Sequence, residues 1–232
     1  MRNFFLAGVV ALTAMVVNLN RLAAEQEFGQ RFYAGLEIGT GFGSVSHAEY
    51  EKGYGFDGFT FDGNDTSAVG GAFLGFNAID NENYTLGIEG DLSFSSLYHK
   101  GNLYYFGSPD VSYTDAWRSG PQGALRLRAG MKAGQALIYA TAGVAAGQNS
   151  FDIYGTNLTT NPDSFDRFML GWTVGAGVEY PVNDSWDLRL EYRYVDFGSV
   201  LLEANVLGYL GEYIDDFNVQ HHKLSVGFSH SF

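Results

Sequence analysis

Residues 220–232 read QHHKLSVGFSHSF. Leu224, Val226, Phe228 and Phe232 fall on one parity, and Lys223, Ser225, Gly227, Ser229 and Ser231 on the other. Successive side chains of a β-strand point to opposite faces, so parity is face. One face is apolar, the other polar, and the segment ends on an aromatic ring. A soluble strand of this kind needs a core against its apolar face. A transmembrane strand uses lipid there and turns its polar face to a barrel lumen.

The other end of the chain points the same way. Arg2 gives a short positive region, and residues 4–17 form an uncharged apolar run of 14 residues. That is shorter than the roughly 20 residues a spanning helix needs. Polar residues 18–21 follow, and then Leu22-Ala23-Ala24 offers small residues for cleavage. The pattern predicts a signal peptide over residues 1–24 and a mature domain over 25–232. Export with no stop-transfer helix leaves the periplasm, the outer membrane or the medium.

Composition narrows this. The chain has no cysteine, so no disulfide framework holds an exported core. Its 31 glycines, 15 tyrosines and 19 phenylalanines suit the small lumen residues and aromatic girdles of membrane barrels. Mean hydropathy is −0.08, near the zero that alternation produces. Net charge is −13, and removing Arg2 and Arg21 takes 2 of the 13 basic residues and leaves 11 against 26 acidic, or −15. Such a charge argues against a nucleic-acid partner.

Eight segments alternate as strands: 31–43, 66–78, 84–97, 122–132, 136–147, 167–182, 186–197 and 220–232. Short turn-rich links at 80–83, 133–135 and 183–185 alternate with long ones at 44–65, 98–115, 148–166 and 198–219. Short periplasmic turns and long external loops are the membrane-barrel pattern. The expected fold is therefore all-β, an eight-stranded antiparallel up-and-down transmembrane barrel with four long external loops. Pro121 cannot donate to a sheet ladder and a closed barrel has no edge, so the fourth strand is expected to start at Gln122. Asp196 falls on the lipid parity, which calls for a bulge or a place above the hydrocarbon.

Charge fixes which face is which. On residues 186–197, Trp186, Leu188, Leu190, Tyr192 and Tyr194 share one face, and Asp187, Arg189, Glu191 and Arg193 the other. Lysine or arginine at the bilayer midplane costs about 2–4 kcal/mol, so these four charges point inward. The same test places Glu37, Glu89, Asp91, Arg126, Arg128, Glu179 and Lys223 inside. The lumen then holds six acids and five bases, close to balance. An eight-stranded barrel is only wide enough for its own side chains, so the expected arrangement is a salt-bridge network that fills the bore. A conducting polar path is the alternative.

The sequence also resembles a known family. Arg31-Phe32-Tyr33-Ala34-Gly35-Leu36 is similar to the opening strand of the small opacity-like, outer-membrane immunogenic protein barrels of Gram-negative bacteria. Residues 123–128 (GALRLR) resemble their basic fourth strand. Residues 171–180 (GWTVGAGVEY) followed by 188–198 (LRLEYRYVDFG) resemble their most specific hairpin. The last strand resembles the terminal strand of such barrels, where Phe228 and Phe232 correspond to an assembly signal, with His230 in place of the usual penultimate aromatic. The resemblance implies an eight-stranded barrel in the cell outer membrane, contact with outer-membrane lipid and lipopolysaccharide, and insertion by the barrel-assembly machinery. It does not imply one function: members are described as porin-like, as surface antigens, as adhesins and as haem binders.

Catalysis and metal binding find little support in the residues. His47 and His99 fall in expected loops, His221 and His222 point to opposite faces, and His230 is near the barrel end. None of the late-strand histidines forms the His-x-Ser of the eight-stranded lipid A deacylases. Residues 62–65 (DGND) match only part of a Ca²⁺ loop. No cofactor or metal is therefore expected. The link at 44–65 carries −4, that at 198–219 carries −4 and that at 148–166 carries −3. Such a rim attracts cations and repels anionic sugars. The expected role is structural or surface-interacting, with a narrow channel or a lipid-modifying enzyme as alternatives and the external ligand unknown.

Overall fold

The computed structural model describes residues 31–51, 55–155, 163–202 and 213–232. The proposed signal peptide and its cleavage site lie outside the described residues. Nine strands follow in chain order: β1 (Arg31–Glu51), β2 (Gly55–Asp80), β3 (Tyr84–Ser95), β4 (Tyr98–Tyr105), β5 (Ser108–Ala133), β6 (Ala136–Gly155), β7 (Asp163–Pro181), β8 (Trp186–Leu202) and β9 (Tyr213–Ser231). All pairings are antiparallel, and β1 pairs with both β2 and β9, so the sheet closes on itself. β3 and β4 are two halves of one wall strand. Both lie between β2 and β5, with a break at Ser96 and Leu97. The wall therefore has eight strands, and closure leaves no sheet edge unpaired.

The turns at one end are built by local chemistry. Asn81 Oδ1 accepts the backbone N–H of Asn83 and of Tyr84, both at 2.9 Å. Asn183 Oδ1 repeats this for Ser185 and Trp186, both at 3.0 Å. An asparagine side chain that caps its own turn holds the chain reversal in very few residues. The far end of the β4–β5 hairpin turns at Phe106 and Gly107, with φ of 44° and 81°.

The links expected as long loops are largely strand. β1 runs to Glu51 and β2 starts at Gly55, so most of residues 44–65 extend the barrel wall. The same holds for 98–115, and in part for 148–166 and 198–219. The reason is an inversion of polarity. In the lower barrel the outer face is apolar: Leu36, Ile38, Leu92, Phe94, Leu125, Leu127, Leu190 and Val226 are exposed. From Phe168 to Tyr180 the outward residues of β7 span roughly 30 Å after tilt, the thickness of a hydrocarbon layer. Above that band the outer face carries Ser46, Asp62, Asn64 and Asn218, while Val45, Phe61, Phe217 and Val219 are buried inside. In lipid the barrel is apolar outside, and in water it is apolar inside.

Two bulges mark that boundary. On β5 the pairing with β6 steps from Ser119↔Asn149 to Gln122↔Gly147, three residues against two. The extra residue flips parity, so Asp115, Trp117 and Ser119 point inward above it, and Arg126 and Arg128 below it. Pro121 falls in this step. The strand consequently runs through the proline and starts at Ser108, not at Gln122, because a bulge leaves one residue out of the ladder. On β8 the pairing with β9 steps from Asp196↔Gln220 to Ser199↔Asn218. Gly198 takes φ of 64° there and donates its N–H to Asp196 Oδ1 at 2.7 Å. Asp196 thus lies beside a bulge at the top of the lipid-facing surface.

Candidate functional site

The bore holds two stacked layers of side chains. The lower one is charged. In the eight-strand ring β3 and β8 stand opposite each other, and their side chains meet across the full width. Arg189 donates to Glu89 at 2.6 and 2.9 Å, and Arg193 donates to Asp91 at 2.6 Å. Arg126, from β5, donates to Glu191 at 2.8 Å and pairs with Glu89, while Arg189 and Arg193 also pair with Glu191. Tyr33 donates to Glu89 at 2.8 Å and Tyr139 to Glu191 at 2.9 Å. Glu89 and Glu191 are both 0% exposed, so every partner is needed to satisfy their buried charge.

Two further ion pairs attach to this centre. Lys223 pairs with Glu37, which also accepts from Ser225 at 2.8 Å. Arg128 donates to Glu179 at 2.5 Å, with its guanidinium over the Tyr139 ring at 4.2 Å. Arg189 lies over Phe73 at 4.4 Å. Ten of the eleven inward charges read from the sequence are therefore gathered in one mass, five acids with five bases. Asp187 stands apart: it is half-buried near the lower mouth and forms no ion pair among the described residues. Phe228 is exposed on the lipid face. Phe232 closes the last strand against β1, its N–H bonded to Phe32 O at 2.9 Å.

The upper layer is apolar. Val45, Phe61, Leu97, Trp117, Phe151, Phe197, Leu202, Phe217 and Val219 form one buried cluster. Phe151 and Phe217 pack as tilted rings with centroids 4.6 Å apart, and Trp117 donates its indole N–H to Asn149 at 3.1 Å. Inside this cluster is a charged group that the sequence reading missed. His47 is in β1, not in a loop, and points inward. Its Nδ1 is 2.9 Å from Asp115 Oδ2 on β5, and its Nε2 is 2.7 Å from Asp215 Oδ1 on β9. The ring stacks on Phe217 at 4.3 Å. Burial disfavours its charge most strongly, but the bonds and charges of the two carboxylates outweigh that and hold its pKa at about 10. Burial in turn raises the pKa of Asp115. The alternation of Val45, His47 with Ser44, Ser46 was a usable signal, once the polarity of the faces is allowed to invert.

The other histidines are dispersed. His99 bonds Asn64 O through Nδ1 at 3.0 Å. His221 lies inside between Trp117 and Phe197, bonded to Gln122 at 2.5 Å, whereas His222 faces outward and bonds Tyr192 OH at 2.7 Å. Residues 62–65 are part of strand β2, and Asp65 accepts the Tyr98 N–H at 2.6 Å.

A closed eight-strand barrel with an apolar waist and a charged bore defines a class of outer-membrane protein, and comparison agrees. The chain belongs to the family described as outer membrane protein beta-barrel domain, whose model matches residues 7–232. It is 30% identical over 168 residues to the 31 kDa outer-membrane immunogenic protein of Brucella melitensis, covering 71% of this chain and 66% of that protein. It is 32% identical over 130 residues to the 25 kDa outer-membrane immunogenic protein of Brucella abortus, covering 56% of this chain and 52% of that one. The chain thus matches between about half and two thirds of the length of these relatives. Among solved structures it resembles the outer membrane protein OprG of Pseudomonas aeruginosa, with a TM-score of 0.53, 16% identity and coverage of 86% and 96% of the two chains. It also resembles the outer membrane protease OmpT of Escherichia coli, with a TM-score of 0.55, 10% identity and coverage of 87% and 97%. At such identities the likeness is one of fold. The protein is an outer-membrane β-barrel, similar in sequence to the immunogenic outer-membrane proteins of Brucella.

Proposed function

We propose that the protein is a closed barrel with a structural and surface-interacting role, and that its lumen does not conduct. The observation that carries this is the crossing of the bore: Arg189 and Arg193 of β8 bond Glu89 and Asp91 of the opposite strand, and the Trp117–Phe217 cluster is stacked above them. In the proposed arrangement the charged layer is a plug, not a selectivity filter. The acidic outer strands and their turns present the interacting surface, in contact with lipopolysaccharide. Export uses residues 1–24 as a signal peptide, and the barrel-assembly machinery reads the strand that ends with Phe228 and Phe232. The role is non-catalytic, in keeping with relatives named as immunogenic outer-membrane proteins. Conductance of refolded protein in planar bilayers tests the plug. The expected result is no steady current, with current appearing when Trp117→Ala and Phe217→Ala are combined with Arg189→Ala. A stable open pore in the parent would promote the channel reading.

A further inference from the structure

Below the charged layer the bore widens into a cavity of about 230 Å³, open at the lower mouth and closed above by the Arg128–Glu179 pair. Its lining is polar and drawn from all sides of the ring, including Arg31, Asn77, Lys132, Glu179, Asp187 and Ser229. The cationic groups are already engaged. Lys132 pairs with Asp80 at 2.8 Å, Arg31 donates to Asp184 O at 3.3 Å, and Arg128 is bonded to Glu179. Two buried acceptor atoms are not. Glu179 is 8% exposed, and its Oε1 has no hydrogen-bond partner, the nearest cation being Arg189 at 4.0 Å. Asn77 is 6% exposed, and its Oδ1 is likewise without a partner. Asp187 is on the strand next to Glu179, and the two carboxylates are close enough to repel each other.

We propose that this vestibule is a binding site for a small solute or side chain bearing a primary ammonium group, entering from the periplasmic side and held on the wall formed by Glu179, Asp187 and Ser229. An alkylammonium supplies three N–H donors and one positive charge. It satisfies the orphaned Glu179 oxygen and relieves the repulsion between the two carboxylates. An anion would find only cations that are already paired. The charged layer above makes the site a dead end, so its occupant is retained and not passed through.

The test is a titration of the refolded full chain in nonionic micelles, read by amide NMR shifts. The probes are n-butylammonium, n-butanol and butyrate, which share one apolar body. The expected result is saturable binding of n-butylammonium near millimolar, with shifts at Ser229 and Ser231 and none from butyrate. Asp187→Asn, which breaks no ion pair among the described residues, is expected to weaken binding about tenfold, the loss of one charge-assisted contact. Arg31→Gln is expected not to weaken it. Equal binding of butanol, shifts confined to the outer surface, or the absence of saturation would overturn the proposal and leave a cavity filled by water only. The three-probe comparison on the parent decides the matter even where a variant fails to fold.

Discussion

Glu89 shows what a single side chain does here. It is fully buried and receives Arg126, two bonds from Arg189, and the Tyr33 hydroxyl. Removing one member of a deeply buried ion pair leaves an uncompensated charge, at a cost of about 3–5 kcal/mol. Glu89→Ala takes one buried carboxylate from both Arg126 and Arg189, leaving them to share Glu191 with an excess of buried positive charge, and is expected to cost that much. Lys132, by contrast, pairs with Asp80 while 35% of its side chain remains exposed. Lys132→Ala is expected to cost about 0–1 kcal/mol, as exposed pairs do. Urea unfolding of both variants in micelles reads the difference. Equal midpoints would mean that water screens the lumen, and the plug would fail with them.

At the scale of elements, two devices set the wall. The first is the β5 bulge. Deleting Gly120 removes the extra residue, so one half of β5 must present the wrong face. Either Trp117 and Asp115 leave the interior, or Arg126 and Arg128 meet lipid at about 2–4 kcal/mol each. The deletion is expected to abolish the compact form that migrates differently before and after boiling. A normal yield of that form would show that the parity flip is dispensable. The second device is His47, which ties β1 to β5 and β9 above the membrane. Its folded pKa of about 10 exceeds the ordinary 6.5, so its contribution is complete below 6.5 and is lost as pH rises toward 10. The raised Asp115 acts in the same direction, since holding it ionised in the fold costs stability above its ordinary 3.8. The parent's urea midpoint is therefore expected to fall between about pH 6.5 and 10. His47→Phe combined with Asp115→Asn and Asp215→Asn, which leaves no titrating group at this place, is expected to be less stable at pH 6 but to lack that fall; parallel pH profiles would refute the linkage.

The whole molecule is a short tube that two solvents read differently. Lipid accepts Leu36, Leu127 and Phe228 on its outside, and water requires the same tube to hide Phe61, Trp117 and Phe217 within. Closure of β9 onto β1 completes it, through pairs from Tyr33↔Ser231 to Glu51↔Tyr213. The terminal residue adds one backbone bond to that seam, Phe232 N to Phe32 O. Deleting Phe232 is expected to change refolding in detergent little, since nineteen-residue β9 keeps its pairing. In cells it is expected to reduce assembly strongly, because the proposed assembly signal is gone. Equal heat-modifiable protein from truncated and full-length chains in cells would count against that role.

Period-two alternation is enough to show eight wall strands and to sort eleven charges by face, because a charge on a lipid-facing position is too costly to persist. The reasoning is plainest in residues 186–197, where four charges share one face and five apolar or aromatic residues the other. The same rule misread everything above the hydrocarbon. Val45, His47 and Phe61 read as loop residues in the sequence and lie in strands, since a rule that sends apolar residues outward has no place for an apolar interior. Pro121 reads locally as a stop, although the bulge between Ser119 and Gln122 accommodates it. Which charges pair, and that β8 reaches β3 across the bore, follow from ring closure, which brings together residues a hundred positions apart. The His47–Asp115–Asp215 group joins three strands far apart in the chain, so no spacing within the sequence could announce it.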